Sequence, residues 1–313
     1  MADHKTIVGH RKQVSVLAQA IKSGKMFPVW MFFGPKGIGK FTVAKLFARY
    51  LLNDVIPAGD VLCTNDDLGQ SIDVHPDFFV STDSSMDDIR NLLNQVEKTP
   101  SVSKRRVVII DNAENLNKNS CNALLKTLEE PPRDAVFILV GVNMGWIPIT
   151  LLSRAMKLYF SPLQENEVEE VLSSSGISDS RSLAKIADGS VGNALYINEN
   201  GGVDLYNNIL QGFASSYEDS HKVVKDIISN DMSQNFKLIK GLLIRAMKTY
   251  IDSITQVNVH EAFAKFINQV SVDAEIEKVL RIISDLNLGE KLLLDKNGMI
   301  AGVFEVFFER DVR

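Results

Sequence analysis

A glycine-rich loop near the start of the chain has the residue types and spacing that hold phosphate groups. Gly34-Pro35-Lys36-Gly37-Ile38-Gly39-Lys40 follows an apolar run and precedes a helical pattern, which is the context that a phosphate-binding loop (P-loop) requires. Glycines let backbone N–H groups turn toward phosphate oxygens, and the helix N-terminus adds a partial positive charge. The predicted phosphate-binding residues are Gly34, Gly37, Gly39 and Lys40. The alternative is a glycine-rich turn without a ligand.

The position after this loop lacks the side chain that usually ligates Mg²⁺. An ATPase of this kind carries Ser or Thr there, whereas this chain has Phe41, which has no oxygen. Thr42 follows, but one residue along a helix is a rotation of about 100°, so its hydroxyl points elsewhere. We therefore expect a loop that can hold phosphate or a nucleotide, ATP or ADP, with Mg²⁺ binding in doubt.

A second apolar run ends in a carboxylate but lacks the base that should follow it. Asp111 ends the run and is suited to hold Mg²⁺ through water, while the next residue, where an ATPase needs Glu to activate water, is Asn112. Loss of such a base typically lowers a rate by about 10²–10⁴-fold. Glu114 is either a substitute base or an ordinary loop carboxylate.

The elements that must position these residues follow from alternating patterns in the first half of the chain. Short apolar runs at 30–33, 107–110 and 136–140 suit buried parallel strands, and helical patterns lie between them at 42–52 and 120–130. The second helix stops before two prolines, as a helix should. This alternation predicts an α/β fold, a parallel sheet with helices on both faces.

The pattern becomes helical beyond residue 162. We predict three domains: an α/β domain at 1–162, a small helical domain at 163–204 and an all-helical domain at 205–313. Two amphipathic helices are predicted in the last domain. The first is marked by Leu238, Ile239, Leu242, Leu243 and Ala246, and the second by Ile276, Val279, Leu280 and Ile283.

Composition excludes several classes of function. The 313 residues are 45% hydrophobic and 23% charged, which is normal for a globular protein. No apolar run is long enough to span a membrane, the first residues do not resemble a secretory signal, and two cysteines fit a reducing cytoplasm. A net charge of −5 argues against a protein that wraps DNA alone. The basic cluster 104–106 is interpreted as a solvated strand entrance.

Several segments together resemble the bacterial clamp-loader family of AAA+ ATPases. They are residues 7–10 (IVGH), residues 25–40 around the P-loop, the run 122–132 (NALLKTLEEPP) and Leu152-Ser153-Arg154. The resemblance covers about residues 1–200 and is weak beyond them. It implies a RecA-like AAA+ domain, a small helical lid and an all-α collar that joins related subunits.

The resemblance also assigns roles to single residues. Arg154, with Ser153 before it, matches the segment in which one subunit's arginine reaches the γ-phosphate of ATP on its neighbour. A surface or ion-paired arginine is the alternative. Asn193 stands where a nucleotide-contacting arginine is usual in this family. The family's four-cysteine zinc module is reduced to Cys63, with His75 the nearest other soft ligand, so we expect no zinc and assign no metal ligand.

Within the family, the substitutions at positions 41, 112 and 193 favour a delta-prime type of subunit over the hydrolysing gamma/tau type. The implied partners are gamma/tau and delta subunits and, through the complex, the sliding clamp and primer-template DNA. The implied function is that of a largely non-hydrolysing stator in DNA replication. Two alternatives stay open: a gamma/tau-like ATPase that uses Thr42 and Glu114, and a P-loop binding module unrelated to replication.

Overall fold

A computed structural model describes residues 7–63, 71–82, 85–143, 145, 147, 149–153, 155–214, 236–255, 281–282, 284–285, 299–300 and 303. The chain divides into two compact units, Met1–Ala194 and Leu195–Arg313. The finer division into three domains at 162 and 204 stays a prediction.

Five parallel strands form the sheet of the first unit. They are β1 (Val29–Phe33), β2 (Phe78–Ser81), β3 (Arg106–Ile110), β4 (Ala135–Gly141) and β5 (Met156–Tyr159). Their order across the sheet is β2-β3-β4-β1-β5, and every neighbouring pair runs parallel. The carboxyl ends of all five strands therefore lie at one edge of the sheet, and their amino ends lie at the other.

Helices cover both faces of this sheet, as the alternating pattern predicts. The helices of this unit are α1 (Arg11–Ser23), α2 (Lys40–Leu52), α3 (Met86–Val96), α4 (Lys118–Glu129), α5 (Ile149–Leu152), α6 (Glu165–Ser174) and α7 (Ser180–Ile186), and α8 (Val191–Glu199) begins in it. One buried cluster joins α1 and α2 to the sheet, and a second joins α3 and α4 to the opposite face. Burial of both faces explains why the central strands are continuous apolar runs.

For the edge strands, the sequence predicted only a strand entrance at residues 75–78, ahead of β2, and no strand at β5. Both are short, and neither is buried throughout: in β5, Lys157 and Tyr159 are exposed, while Leu158 is buried. A strand with one open face alternates in polarity, and four residues are too few for that alternation to stand out. Residues that are adjacent in the sequence do not identify such strands, because β2 is ordered by its pairing with β3 and β5 by its pairing with β1.

The second unit is helical where it is described. It contains α9 (Gly202–Ala214) and α10 (Phe236–Thr255), which are joined by a hydrogen bond of 3.0 Å between Tyr206 Oη and Thr249 Oγ1. The apolar positions predicted between 238 and 246 are buried, which confirms that helix. The four positions that mark the second predicted helix, 276, 279, 280 and 283, lie outside the described residues, and residues 281–282 between them are helical. In the described part of the chain, no helix is both long and apolar enough to cross a membrane.

A buried ion pair fixes the amino-terminal edge of the sheet. The Asp77 carboxylate accepts hydrogen bonds of 2.6, 2.8 and 2.9 Å from the backbone N–H groups of residues 101–103, and Arg106 Nε lies 3.7 Å from it. Burial by itself raises the pKa of Asp77, but these N–H groups and the guanidinium group outweigh burial and lower it. Arg106 is buried, so the interpretation of the whole basic cluster as solvated is wrong at this residue.

The carboxylate of Asp77 predicts a stability effect that depends on pH. In Asp77→Asn, Arg106 loses its counter-charge in a buried site, so the free energy of unfolding should fall by about 3–5 kcal/mol at pH 7. Because the folded-state pKa is lowered, the wild-type contribution is present above the unfolded pKa of about 3.9 and is lost as pH falls through the folded value. The measurement is urea unfolding followed by the fluorescence of buried Trp30.

Asp73→Asn is the matched control for this prediction. The Asp73 carboxylate pairs with Lys45 at the surface and is 58% exposed, so its loss should cost less than about 1 kcal/mol. The role assigned to Asp77 is contradicted if both variants unfold at the same urea concentration, or if the gap between Asp77→Asn and wild type stays constant from pH 7 to pH 3.

Candidate functional site

The P-loop joins the carboxyl end of β1 to the first residue of α2. Its backbone turns through glycine conformations, with φ of 145° at Gly34 and 76° at Gly37. A Cβ atom at Gly34 would lie only 2.0 Å from the carbonyl oxygen of Phe160, so the close approach of the segment after β5 requires glycine there. Together with the N-terminus of α2, this loop is a cradle suited to a phosphate group.

The side chain of Lys40 is hydrogen-bonded to the backbone of the P-loop itself. Its Nζ atom donates to the carbonyl oxygens of Gly34 at 2.7 Å and Pro35 at 2.5 Å, and the side chain is buried. Burial lowers the pKa of Lys40, and the carboxylates of Glu114 and then Asp111 oppose that shift. The neighbouring carboxylates thus offset only part of the cost of burying this charge, and two of its three N–H donors are already used.

The position that should ligate Mg²⁺ belongs to the core. Phe41 packs against the buried cluster between α2 and the sheet, with Lys45 Nζ 5.7 Å from the centre of its ring. Thr42 is exposed, one step around the helix. No group of three or more His, Cys, Asp or Glu within the described residues is arranged to hold a metal ion. Because Phe41 has no oxygen, the residue that follows Lys40 does not supply the hydroxyl that ligates Mg²⁺ in a hydrolysing site.

Asn112 restrains the carboxylate that precedes it. It adopts the left-handed conformation, with φ 48° and ψ 45°, which Asn tolerates better than most residues. Its Nδ2 donates to Asp111 Oδ2 at 3.1 Å, and the backbone N–H of Asp111 donates to Ser81 O at 2.9 Å. The side chain at the position of the missing base thus donates a hydrogen bond to the neighbouring carboxylate, and an amide does not accept a proton from water at neutral pH.

Glu114 faces the P-loop but is bonded to backbone. Its Oε2 accepts a hydrogen bond of 3.1 Å from the N–H of Val142, just beyond the end of β4. Gly141 permits this approach, because a Cβ atom there would lie 2.8 Å from the same oxygen. This hydrogen bond links the end of β4 to the short 3₁₀ helix Ala113–Asn115.

The start of α8 closes over the outer side of the P-loop. Ser190 Oγ donates to Lys36 O at 2.9 Å, and the N–H of Gly192 donates to Gly37 O at 2.8 Å. A Cβ atom at Gly192 would lie 2.9 Å from the Cα atom of Gly37. Sequence reasoning did not identify Ser190 and Gly192 as loop contacts, and the only local signal was the Gly-Ser-Val-Gly break at 189–192.

Asn193 does not take over the role of the arginine it replaces. Its Nδ2 donates to Ala187 O at 3.4 Å, and its backbone N–H donates to Ser190 Oγ at 3.1 Å. Both hydrogen bonds of Asn193 lie within the amino-terminal turn of α8 and the residues just before it. Ser190 and Gly192 make the hydrogen bonds to the P-loop, and Asn193 brings no positive charge toward the loop.

His10 ties the segment 7–10 to the P-loop. Its Nε2–H donates to Ile38 O at 2.7 Å, and its ring packs edge-on against Phe160. Burial lowers the pKa of His10, while the bond to Ile38 and the charge of Glu167 oppose the shift. The neutral imidazole is therefore the form that this packing favours.

Arg154 lies outside the described residues, but both its neighbours are described. Ser153 is exposed, and its N–H donates to Ile149 O at 3.0 Å; Ala155 is buried in the cluster that contains α4. Ala155 directly precedes β5, so this short segment enters the sheet at its amino-terminal edge. The P-loop lies at the opposite edge, about one strand length away.

The two residues considered as soft metal ligands have other partners. Both ring nitrogens of His75 are engaged: Nδ1 accepts from the backbone N–H of Asp77 at 3.1 Å, and Nε2 lies 3.1 Å from Ser103 Oγ. The backbone N–H and carbonyl of Cys63 both bond to Tyr50 Oη, and its thiol is free. His75 thus serves the local fold.

Comparison with known proteins finds a family that matches part of the first unit. Residues 9–164 match the family described as "DNA polymerase III, delta subunit". The chain is 29% identical over 234 residues to DNA polymerase III subunit tau/gamma of Haemophilus influenzae, covering 69% of this chain and 34% of that protein. It is 30% identical over 220 residues to subunit gamma of Buchnera aphidicola subsp. Acyrthosiphon pisum, covering 64% of this chain and 61% of that protein.

Solved structures show a similar range of relatives. A gamma subunit-related protein of DNA polymerase III from Thermotoga maritima has a TM-score of 0.47 at 15% identity, with 95% of this chain and 99% of that chain covered. A Bacillus subtilis DNA clamp loader delta protein has a TM-score of 0.39 at 15% identity, with 95% and 100% covered. The chain spans between one third and two thirds of the length of the curated relatives named above. Residues 9–164 thus resemble the DNA polymerase III delta-subunit family, and over part of its length the chain is similar to gamma and tau subunits.

Proposed function

We propose that this chain is a delta-prime-type subunit of a DNA polymerase III clamp loader in the cytoplasm. It does not hydrolyse ATP itself, and it supplies Arg154 to the nucleotide site of a neighbouring gamma/tau-type subunit. The proposal rests on one observation at the carboxyl edge of the sheet. The polar side chains that ATP hydrolysis would need are hydrogen-bonded within the protein there.

Three contacts at that edge support a non-hydrolysing subunit. Lys40 donates to its own loop, Asn112 donates to Asp111, and Glu114 accepts from the backbone of Val142. Each contact uses a group that would otherwise face nucleotide, metal or water. The site retains the backbone cradle for phosphate, so ATP or ADP can be held there as a structural ligand.

The topology supports a role for Arg154 toward another subunit. Its neighbours Ser153 and Ala155 enter β5 at the amino-terminal edge, whereas the P-loop follows β1 at the carboxyl edge. The segment that contains Arg154 therefore begins β5 at the edge remote from its own P-loop. A guanidinium group supplied to the γ-phosphate of a neighbour stabilises charge in the transition state, an effect worth about 10³–10⁵-fold.

In the proposed assembly, this chain joins delta and three gamma/tau subunits in a ring. ATP binding by the gamma/tau subunits opens the sliding clamp and grips primer-template DNA, and hydrolysis releases the closed clamp. In this assembly the delta-prime-type chain acts as a comparatively rigid stator. The hydrogen bonds of Ser190 and Gly192 to the P-loop support this role, because they hold the start of α8 on that loop.

The second candidate function is a gamma/tau-like ATPase. The intact P-loop backbone and the identity to gamma and tau subunits favour it. In that case Thr42 has to reach the metal and Glu114 has to act as the base, although Thr42 is exposed and Glu114 is bonded to Val142. The two candidates differ in what the isolated chain does with Mg²⁺ and ATP.

Isolated wild-type chain should hydrolyse ATP no faster than Lys40→Ala, because neither a Mg²⁺ hydroxyl nor a free base is in place. The measurement is phosphate release at saturating Mg²⁺ and ATP. Glu114→Gln should leave this background unchanged, since the amide oxygen still accepts the Val142 N–H. Turnover above the Lys40→Ala level that Glu114→Gln abolishes would establish the ATPase instead.

Arg154→Ala should lower the DNA- and clamp-stimulated ATPase rate of the reconstituted ring. Loss of the guanidinium group should slow hydrolysis at the adjoining site by about 10³-fold or more. The ATPase rate of the whole ring should therefore fall by at least the fraction that this site contributes. The control is Arg133→Ala, an exposed arginine that precedes the amino end of β4. An Arg154→Ala ring that hydrolyses ATP at the wild-type rate would sink the proposed function.

A further inference from the structure

Three consecutive carbonyl groups of the P-loop accept hydrogen bonds from residues outside the loop. The bonds run from Ser190 Oγ to Lys36 O at 2.9 Å, from the N–H of Gly192 to Gly37 O at 2.8 Å, and from His10 Nε2 to Ile38 O at 2.7 Å. Two of the donors belong to the start of α8 and the residue before it, and the third is the residue before α1. Residues distant in the sequence thus fix the backbone of the loop.

The direction of these carbonyl groups also fixes the direction of the N–H groups that follow them. A peptide unit is planar and trans, so its C=O and N–H groups point in opposite directions. The N–H groups of Gly37, Ile38 and Gly39 are therefore turned away from the three donors. Gly37 and Gly39, on either side of Ile38, have φ of 76° and 98°, and such alternation gathers successive N–H groups around an anion. No described residue accepts a hydrogen bond from these three N–H groups.

His10 is anchored independently of the loop that it contacts. Its carbonyl oxygen accepts the N–H of Val14 in the first turn of α1 at 3.0 Å, and its ring centre lies 4.9 Å from that of Phe160. Because a carbonyl oxygen only accepts, Nε2 carries the hydrogen in the bond to Ile38. A fixed imidazole therefore sets the orientation of the peptide unit that joins Ile38 to Gly39.

We infer that His10 is a positioning residue of the phosphate cradle: it holds the Ile38 carbonyl group and so aims the Gly39 N–H at a bound phosphate group. Ser190 and Gly192 do the same for the two preceding peptide units. The role rests on the proposed function, in which the P-loop retains a nucleotide phosphate. Backbone N–H groups bind an anion without a metal ion, so the cradle takes up a phosphate group without Mg²⁺.

The test measures phosphate binding by the full-length chain without any metal ion. Inorganic pyrophosphate is titrated in EDTA into ¹⁵N-labelled protein, and the amide signals of Gly37 and Gly39 are followed by NMR. His10→Leu removes the donor and should raise Kd about tenfold, as expected for one lost hydrogen bond around an anion. His10→Gln should restore the wild-type Kd, because its side-chain amide donates to Ile38 O. Loss of binding in both variants, or in neither, overturns the role of His10 as a donor.

His75→Leu is the matched control, because both ring nitrogens of His75 are engaged at the amino-terminal edge of the sheet. This variant should bind pyrophosphate as wild type does, and a loss equal to that of His10→Leu overturns the inference. Ser190→Ala is a second test that leaves residues 7–10 intact, and it should weaken binding through the Gly37 signal.

The inference and the proposed function fail separately. A wild-type chain whose Gly37 and Gly39 signals do not shift with pyrophosphate in EDTA overturns the positioning role, whatever the ring assay shows for Arg154. If His10→Leu weakens binding and His10→Gln restores it while Arg154→Ala leaves the ATPase rate of the ring unchanged, the role of His10 stands and the proposed trans role of Arg154 fails.

Discussion

The parallel direction of all five strands is the constraint on which the rest of this structure depends. It places the ends of β1, β3 and β4 at one edge, so that the P-loop, Asp111 and Val142 lie close together. It also sends the chain back to the opposite edge before β5 begins, which is where Ser153 and Ala155 are found. One chain direction thus separates a phosphate cradle from the segment that carries Arg154.

At the cradle edge, the side chains of Lys40, Asn112 and Glu114 make hydrogen bonds within the protein. A buried ammonium group is costly unless it is paired, and Lys40 meets loop carbonyls together with the field of Glu114 and Asp111. Phe41 and Asn112 also serve the fold, because Phe41 packs against the core and Asn112 adopts the left-handed conformation of its turn.

Before β5, the described neighbours of Arg154 are held by the core, since Ala155 is buried and Leu152 packs against the same cluster. Ile149, at the start of α5, is 82% exposed, and Lys157 and Tyr159 are the exposed residues of β5. Tyr159 lies in register with Phe33, so β5 runs from the amino-terminal edge of the sheet to the edge that carries the P-loop.

The sequence by itself determined the central strands, the helices on both faces, the P-loop and the substitutions at 41, 112 and 193, because these depend on local periodicity and residue type. Only the tertiary structure decided that Glu114 bonds to Val142, that Ser190 and Gly192 hold the P-loop, and that Arg106 is buried against Asp77. Ser190 is 154 residues from its partner Lys36, and no local pattern encodes such a contact. The extent of the short edge strands β2 and β5 was not predicted, because their pairing with β3 and β1 orders them more than their own residues do.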